Sequence, residues 1–376
     1  MSLKLMRRSF LFAFLTLVGM TVGAGVFALP SLFARFGVWQ ASLCFWFLAA
    51  FVIAVQRLYV DVILSVPTSH RLPGYARLAL GKRWGALATA THFLPMYGAQ
   101  VIYLLLGSVF LQTLLARFGW AVPQRVAMLA VFAFIAAAVW GGLRRVARLD
   151  AALVAINLFL FALTIVAAAS HAPAPTQFVP QPSWEAFGLV LFALSALSIV
   201  PEVTELCERR KRPVHLVIVL GTGLAALVIW AFAFVLARAG GTQLTAQPQS
   251  LLAALPPWGA AVLPLMGLLA ISTAYLASAE ALQGSWQHDY RFRAFSSWVV
   301  TLFPAVLVAL LLKDGFVLLA TILGTVCGGI NGVLIGMMRV AIAERKREAL
   351  ALAFGLAAIF VYGFGVSGQI VTWLFL

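Results

Sequence analysis

Between Ser9 and Phe36 the chain holds an apolar run with one charge, Arg35, and three glycines within seven residues break its middle, GMTVGAGVFALP over 19–30. About 20 consecutive apolar residues suffice for a helix to cross a bilayer, so the run reads as a membrane span. Its centre is a poor helix. Each interior glycine weakens a helix by roughly 1 kcal/mol relative to alanine, and Gly23-Ala24-Gly25 also removes the side chains that would shield the backbone. Freed amides and carbonyls cannot face lipid; irregular backbone at membrane depth persists only where protein buries it or where it lines a wet cavity. Thr21 to Gly25 is therefore either a packing device or a ligand cradle.

A chain of 376 residues that is 63% hydrophobic and 10% charged cannot cover itself with polar surface, which makes it an integral membrane protein. The net charge of +15 would suit nucleic acid on a soluble chain, but 20 of the 26 basic residues fall in six clusters between apolar runs. The clusters are Lys4/Arg7/Arg8, Arg71/Arg77/Lys82/Arg83, Arg144/Arg145/Arg148, Arg209/Arg210/Lys211/Arg212, Arg291/Arg293 and Arg339/Arg345/Lys346/Arg347. They occupy every second connection. That alternation is the positive-inside pattern, which places the amino terminus and all six clusters in the cytoplasm and excludes nucleic acid as the partner. The connections around Arg117, Pro173 to Trp184, Gly240 to Pro257 and Lys313 then face outward. Lys4-Leu-Met-Arg-Arg8 resembles the start of a secretory signal, but the apolar run behind it is too long for one. Cys44, Cys207 and Cys327 stand apart in or beside spans and imply no disulfide framework.

Apolar runs between charge and Pro/Gly punctuation number eleven, over 9–36, 38–66, 84–116, 122–142, 150–170, 185–206, 214–238, 258–285, 295–312, 315–338 and 350–375. An odd count puts the carboxyl terminus outside. The third run is long, which predicts a tilted or projecting helix. Tyr97, Gln100 and Tyr103 fall within a sector of roughly 120° on it, as a pocket wall or as locally satisfied tyrosines. The sixth run, FGLVLFALSALSIVPEVTELCERRKRP, is the second irregular span. Ser195, Ser198 and Pro201 interrupt it, proline removing a donor and disfavouring helix at Val200. Glu202 lies inside that span, and an ionisable group there marks a substrate or ion pathway unless Arg209 or Arg210 neutralises it. Glu205 is expected to pair with those arginines. In the eighth span Ser272 and Thr273 are mid-membrane hydroxyls, candidate cation ligands or simply helix–helix glue. Glu280, near the cytoplasmic end of that span, is placed to pair with a loop arginine such as Arg291. Gly328, Gly332 and Gly336 in the tenth form a small-residue stripe suited to close helix packing.

Four spans separate the two broken ones, so 9–170 and 185–338 form two five-helix sets that run in opposite senses, with 350–375 as an extra helix. Inverted repeats of this kind place a binding site at the midplane, between the half-helix ends of discontinuous spans. Half-helix amino ends attract a carboxylate and exposed carbonyls attract a cation; an amino acid zwitterion offers both. The five histidines show no metal-ligand spacing, and nucleotide and hydrolase motifs are missing, so neither cofactor nor metal is expected.

GMTVGAGVFALP resembles the first-helix motif of the hydroxy and aromatic amino acid permeases, in the amino acid/polyamine/organocation superfamily, where GxxIGAGxLxLP is typical. ALSALSIVPEVTEL is similar to the sixth helix of the more distant bacterial members, and LAISTAYLASAEAL, followed by HDYR, to their eighth. The resemblance implies a LeuT-type fold of eleven helices in the inner membrane and proton- or sodium-coupled uptake of an amino acid. It assigns Thr21, Gly23, Ala24 and Gly25 to the substrate-binding segment of helix 1, Ser195 and Ser198 to its counterpart in helix 6, and Thr273 to a Thr-Ser pair. Ala274 stands where that pair has serine, removing a hydroxyl that a sodium ion would use. The expectation is an amino acid transporter with Tyr97 or Gln100 closing one wall and Glu202 carrying a proton; the alternative is a sodium-coupled or uncoupled transporter of an amino acid or organic amine. A non-transporting sensor or an intramembrane enzyme built on Glu202 and Glu280 are weaker rivals, and no feature specifies an oligomeric state.

Overall fold

The computed structural model describes residues 3–140, 143–170, 185–194, 196–245, 247–288, 290–312, 315–346 and 348–375. Ser195, Lys313 and the connection over 173–184 lie outside them.

The first apolar run becomes two helices. α1 (Leu3–Thr21) stops where the glycines begin, a 3-10 turn covers Ala24–Phe27, and α2 (Leu29–Phe36) continues at a bend of 43°. Pro30 sits in the first turn of α2, where its missing N–H is harmless. α3 (Val38–Ser65) returns across the bundle, and a short helix, α4 (Leu72–Leu80), lies between it and α5 (Lys82–Ala116). The 35 residues of α5 rise about 52 Å, well beyond a bilayer core of about 30 Å, a length that calls for tilt or projection. The next two helices are α6 (Gln124–Trp140) and α7 (Leu143–Ala169). The sixth run is also broken: α8 (Glu185–Leu194), a 3-10 turn Leu197–Ile199, and α9 (Val200–Leu206). Then come α10 (Lys211–Gly240), the short α11 (Ser250–Ala253), α12 (Pro257–His288) and α13 (Ala294–Leu311). The tenth span comprises α14 (Phe316–Ile322), a π-helical turn Leu323–Gly328 and α15 (Gly329–Lys346); α16 (Ala349–Phe375) completes the chain.

Among the described residues nine spans are long and apolar enough to cross a membrane, and the bent pair α1/α2 adds a tenth. α6, with 17 residues, falls just short, so a count of eleven rests on that helix.

In lipid, helices associate through close packing and interhelical hydrogen bonds rather than through hydrophobic burial alone. Both devices occur here. Thr222 on α10 donates to Gln56 Oε1 on α3 at 2.6 Å, and Trp230 Nε1 donates to Ser42 Oγ at 2.9 Å. A Cβ on Gly324 would lie 1.9 Å from the Gly188 carbonyl oxygen, so α8 and the π-turn meet backbone to backbone. Of the expected stripe, Gly332 packs on the Tyr362 ring and Gly336 on the Gly355 carbonyl, which seats α16 against α15, while Gly328 faces a cavity. Trp39, Trp46, Trp84, Trp120, Trp140 and Trp258 are exposed near span ends, as an interfacial aromatic belt requires.

Candidate functional site

The two breaks meet. A Cβ on Gly25 would stand 2.6 Å from Ala193 Cα and 3.0 Å from Ala193 N, so only glycine lets the first span reach the sixth at the residue before its own helix ends. Gly23 backs onto α12 and α5: its Cβ would meet Ala274 Cβ at 2.9 Å and the Tyr103 hydroxyl at 3.5 Å. Ala274 is thus a small residue fitted against the glycine, fully buried. At the first break Gly23 N bonds Thr21 O at 3.0 Å, and Val26 N reaches Gly23 O at 3.3 Å. Among the described residues the amides of Ala24 and Gly25 find no backbone acceptor. At the second, Ala196 N bonds Leu194 O at 3.1 Å and Ile199 N bonds Ala196 O at 3.2 Å, a tight turn in place of helix.

Beside this crossing lies a cavity of about 80 Å³. Met20 of α1 and Leu197 and Ser198 of the sixth span face it from one side, and Met96, Ala99 and Tyr103 of α5 from another. Ser278 of α12 and Asn331 of α15 contribute polar atoms; Ser278 Oγ and Asn331 Oδ1 are buried without a hydrogen-bond partner. Asn331 is oriented by Nδ2, which donates to Thr91 O at 3.0 Å. The π-turn supplies Leu323, Gly324 and Gly328, and such turns concentrate at functional positions.

The anticipated residues divide. Ser198 lines the cavity; Thr21, Gly23, Ala24 and Gly25 are buried and do not line it, although Met20, which precedes them in the chain, does. Thr21 donates its hydroxyl to Leu17 O at 2.7 Å. Tyr97 turns away: its hydroxyl donates to Val300 O at 2.8 Å and accepts from Trp286 Nε1 at 3.2 Å, which joins α5 to α13 and α12. Gln100 is fully buried, with neither amide atom bonded, but it does not line the cavity. Thr273 donates to Leu269 O and Ala270 O, at 3.1 and 3.0 Å, and Ser272 is half-buried one position away. Of the three residues that spacing grouped on α5 only Tyr103 reaches the wall, and Ser278 and Asn331 are the wall residues that the sequence did not single out.

Glu202 sits in the first turn of α9, where Arg71 approaches it at 2.8 Å; Arg71 also reaches Glu205 at 3.3 Å. The premise of an unpaired carboxylate therefore gives way to an ion pair, and the partner is Arg71 rather than Arg209. Arg209 instead donates to the carbonyls of Ile63, at 2.7 Å, and Val66, tying the end of α9 to the end of α3. Burial works against the Arg71 charge, yet Glu202 and Glu205 hold its pKa above the ordinary arginine value. Arg71 precedes Leu72, which closes that end of the cavity. At the opposite end Arg35 of α2 meets Glu185 of α8 at 3.1 Å, so each half of the first span lies beside an ion pair involving the matching half of the sixth. Among the described residues no three His, Cys, Asp or Glu side chains cluster closely enough to hold a metal.

The sequence pattern of the tryptophan/tyrosine permease family matches residues 6–371. The chain belongs to this family. The permease resemblance of the first helix therefore extends over nearly the whole chain. Among solved structures, a mutant manganese transporter of Eremococcus coleocola is similar with a TM-score of 0.68 at 13% identity, covering 99% of this chain and 88% of that one. MhsT in complex with L-phenylalanine is similar with a TM-score of 0.64 at 13% identity, covering 96% of this chain and 98% of its own. At such identities the likeness is one of fold, and the fold is the LeuT type with discontinuous first and sixth helices. No curated protein sequence matches the chain.

Proposed function

We propose that this permease is a secondary transporter that carries an aromatic amino acid through the cavity beside the two helix breaks, exposing it to each side of the membrane in turn. The observation that carries this reading is the crossing of two discontinuous spans at Gly25 and Ala193, next to a cavity with both polar and apolar walls. The substrate carboxylate meets the amides of Ala24 and Gly25, where the second half of the first span begins and helix-end dipoles favour an anion. The ammonium meets the carbonyls of Leu194 and Ala196, with the Ser198 hydroxyl beside it. Met20, Met96, Tyr103 and Phe192 offer thioether and ring contacts to an aromatic side chain. The name of the family and the phenylalanine held by MhsT support that choice of side chain.

A cavity of about 80 Å³ holds only a few waters, at about 10–15 Å³ each, so a substrate of this size enters when the walls part. The inner ion pair of Arg71 with Glu202 is the contact to open, and a proton on Glu202 removes one of the two charges that hold Arg71. Proton coupling follows from that exchange. Sodium is the second reading, and Ala274 leaves α12 one hydroxyl short of it. The chain is read as an inner-membrane protein with its amino terminus in the cytoplasm.

Uptake of radiolabelled tryptophan into proteoliposomes tests this. Accumulation is expected under a proton gradient and to collapse with a protonophore, and Glu202→Gln should abolish accumulation while retaining counterflow. Accumulation driven by sodium alone, or unchanged coupling in Glu202→Gln, would overturn the proton assignment. Absence of both uptake and counterflow for every aromatic amino acid would overturn transport itself.

A further inference from the structure

A second site lies outside the transport path, where α3, α10, α15 and α16 come together at the end of the bundle read as cytoplasmic. α3 carries Arg57 two turns before its end at Ser65, about 12 Å back along the helix. The residue is exposed, and among the described residues it has neither a hydrogen bond nor an ion pair. A charged side chain within a span is expensive unless something answers it. Arg57 opens onto a groove of about 460 Å³, shared with Asp61, Arg339 and Glu348.

The carboxylates of that groove are already engaged. Asp61 Oδ1 lies 3.4 Å from Lys211 Nζ and 3.2 Å from His215 Nε2, and Glu348 lies 2.6 Å from Arg339 Nη2. Arg339 is nine-tenths buried, and its Nε has no acceptor. Among the described residues the groove sets two arginines, Arg57 and Arg339, against two carboxylates, Asp61 and Glu348; Lys211, outside the lining, also pairs with Asp61, so Arg57 is the excess charge. Leu350 and Phe354, 74% and 51% exposed, continue the groove onto the lipid-facing flank of α16.

We infer that this groove binds the head group of an anionic phospholipid. The Arg57 guanidinium takes the phosphate, for which its planar fork of donors is suited. The acyl chains run along Leu350 and Phe354. A free phosphate would satisfy the charges but leave the apolar rim without a role, and a zwitterionic lipid would bring a cation to a groove that already has one too many. Basic pockets between spans at the cytoplasmic face suit anionic head groups for this reason.

Native mass spectrometry of the full chain, with phosphatidylglycerol and phosphatidylcholine of matched acyl chains, tests the assignment. Wild type should retain phosphatidylglycerol in preference, and Arg57→Gln should weaken that retention about fivefold, the worth of one basic residue near a lipid surface. Arg57→Lys should keep most of the preference. Thermal unfolding gives an independent reading: phosphatidylglycerol should raise the melting temperature of wild type more than that of Arg57→Gln, with the two equal in phosphatidylcholine. On the unaltered protein, raising salt should lower phosphatidylglycerol retention and leave phosphatidylcholine unchanged. Equal retention of the two lipids by wild type, undiminished phosphatidylglycerol retention by Arg57→Gln, or equal stabilisation by soluble glycerol 3-phosphate would each overturn the proposal.

Discussion

Gly25 has no room for a methyl group, because the backbone of Ala193 already occupies the space where its Cβ would stand. Gly25→Ala must push the two broken spans apart, and overpacking of this sort costs about 1–3 kcal/mol. A lowered melting temperature in detergent, together with loss of tryptophan uptake, is the expected outcome. The tyrosines of α5 make a sharper pair. Tyr97→Phe loses one donated and one accepted hydrogen bond in the α5/α12/α13 contact, about 1 kcal/mol each, and should lower stability while leaving the KM for tryptophan unchanged. Tyr103→Phe alters the cavity wall itself and should shift KM with little change in stability. Which tyrosine would face the cavity was not legible from spacing. A helix places 97 and 103 about 120° apart, and the choice between them depends on partners far away in the chain, Trp286 and Val300. Arg71 was hidden for the same reason: the arginines nearest Glu202 in sequence are Arg209 and Arg210, and the folded chain uses Arg209 to hold Ile63 and Val66 instead.

At the scale of elements, the two breaks were legible because glycine and proline interrupt runs that otherwise satisfy every requirement of a spanning helix. The π-turn in the tenth span was not, since nothing in its composition separates a π-turn from a packing stripe. The structure gives Gly324 of the turn and Gly328, the first residue of the stripe, different surroundings. Gly324 touches the Gly188 carbonyl, whereas a Cβ on Gly328 would have its nearest neighbour at 3.9 Å, inside ordinary contact. Gly324→Ala should therefore prevent stable assembly of α8 against the tenth span, seen as loss of monodisperse protein after extraction. Gly328→Ala should fold normally yet reduce the space available to substrate, and a fall in uptake at unchanged melting temperature is the check.

For the whole molecule, the alternation of basic clusters predicts a cytoplasmic amino terminus and, with α6 counted as a span, a carboxyl terminus outside. A reporter fused to the carboxyl terminus should then be active only in its periplasmic form; cytoplasmic activity would remove α6 from the count. The larger claim is that substrate binds where the two discontinuous spans cross. Thiol labelling of Ser198→Cys, in a background where Cys44, Cys207 and Cys327 are replaced by serine, tests it most directly. Saturating tryptophan is expected to slow alkylation at that position, while an amino acid that is not transported leaves the rate unchanged. A variant that still carries tryptophan, but whose alkylation rate is the same with and without it, would contradict the site.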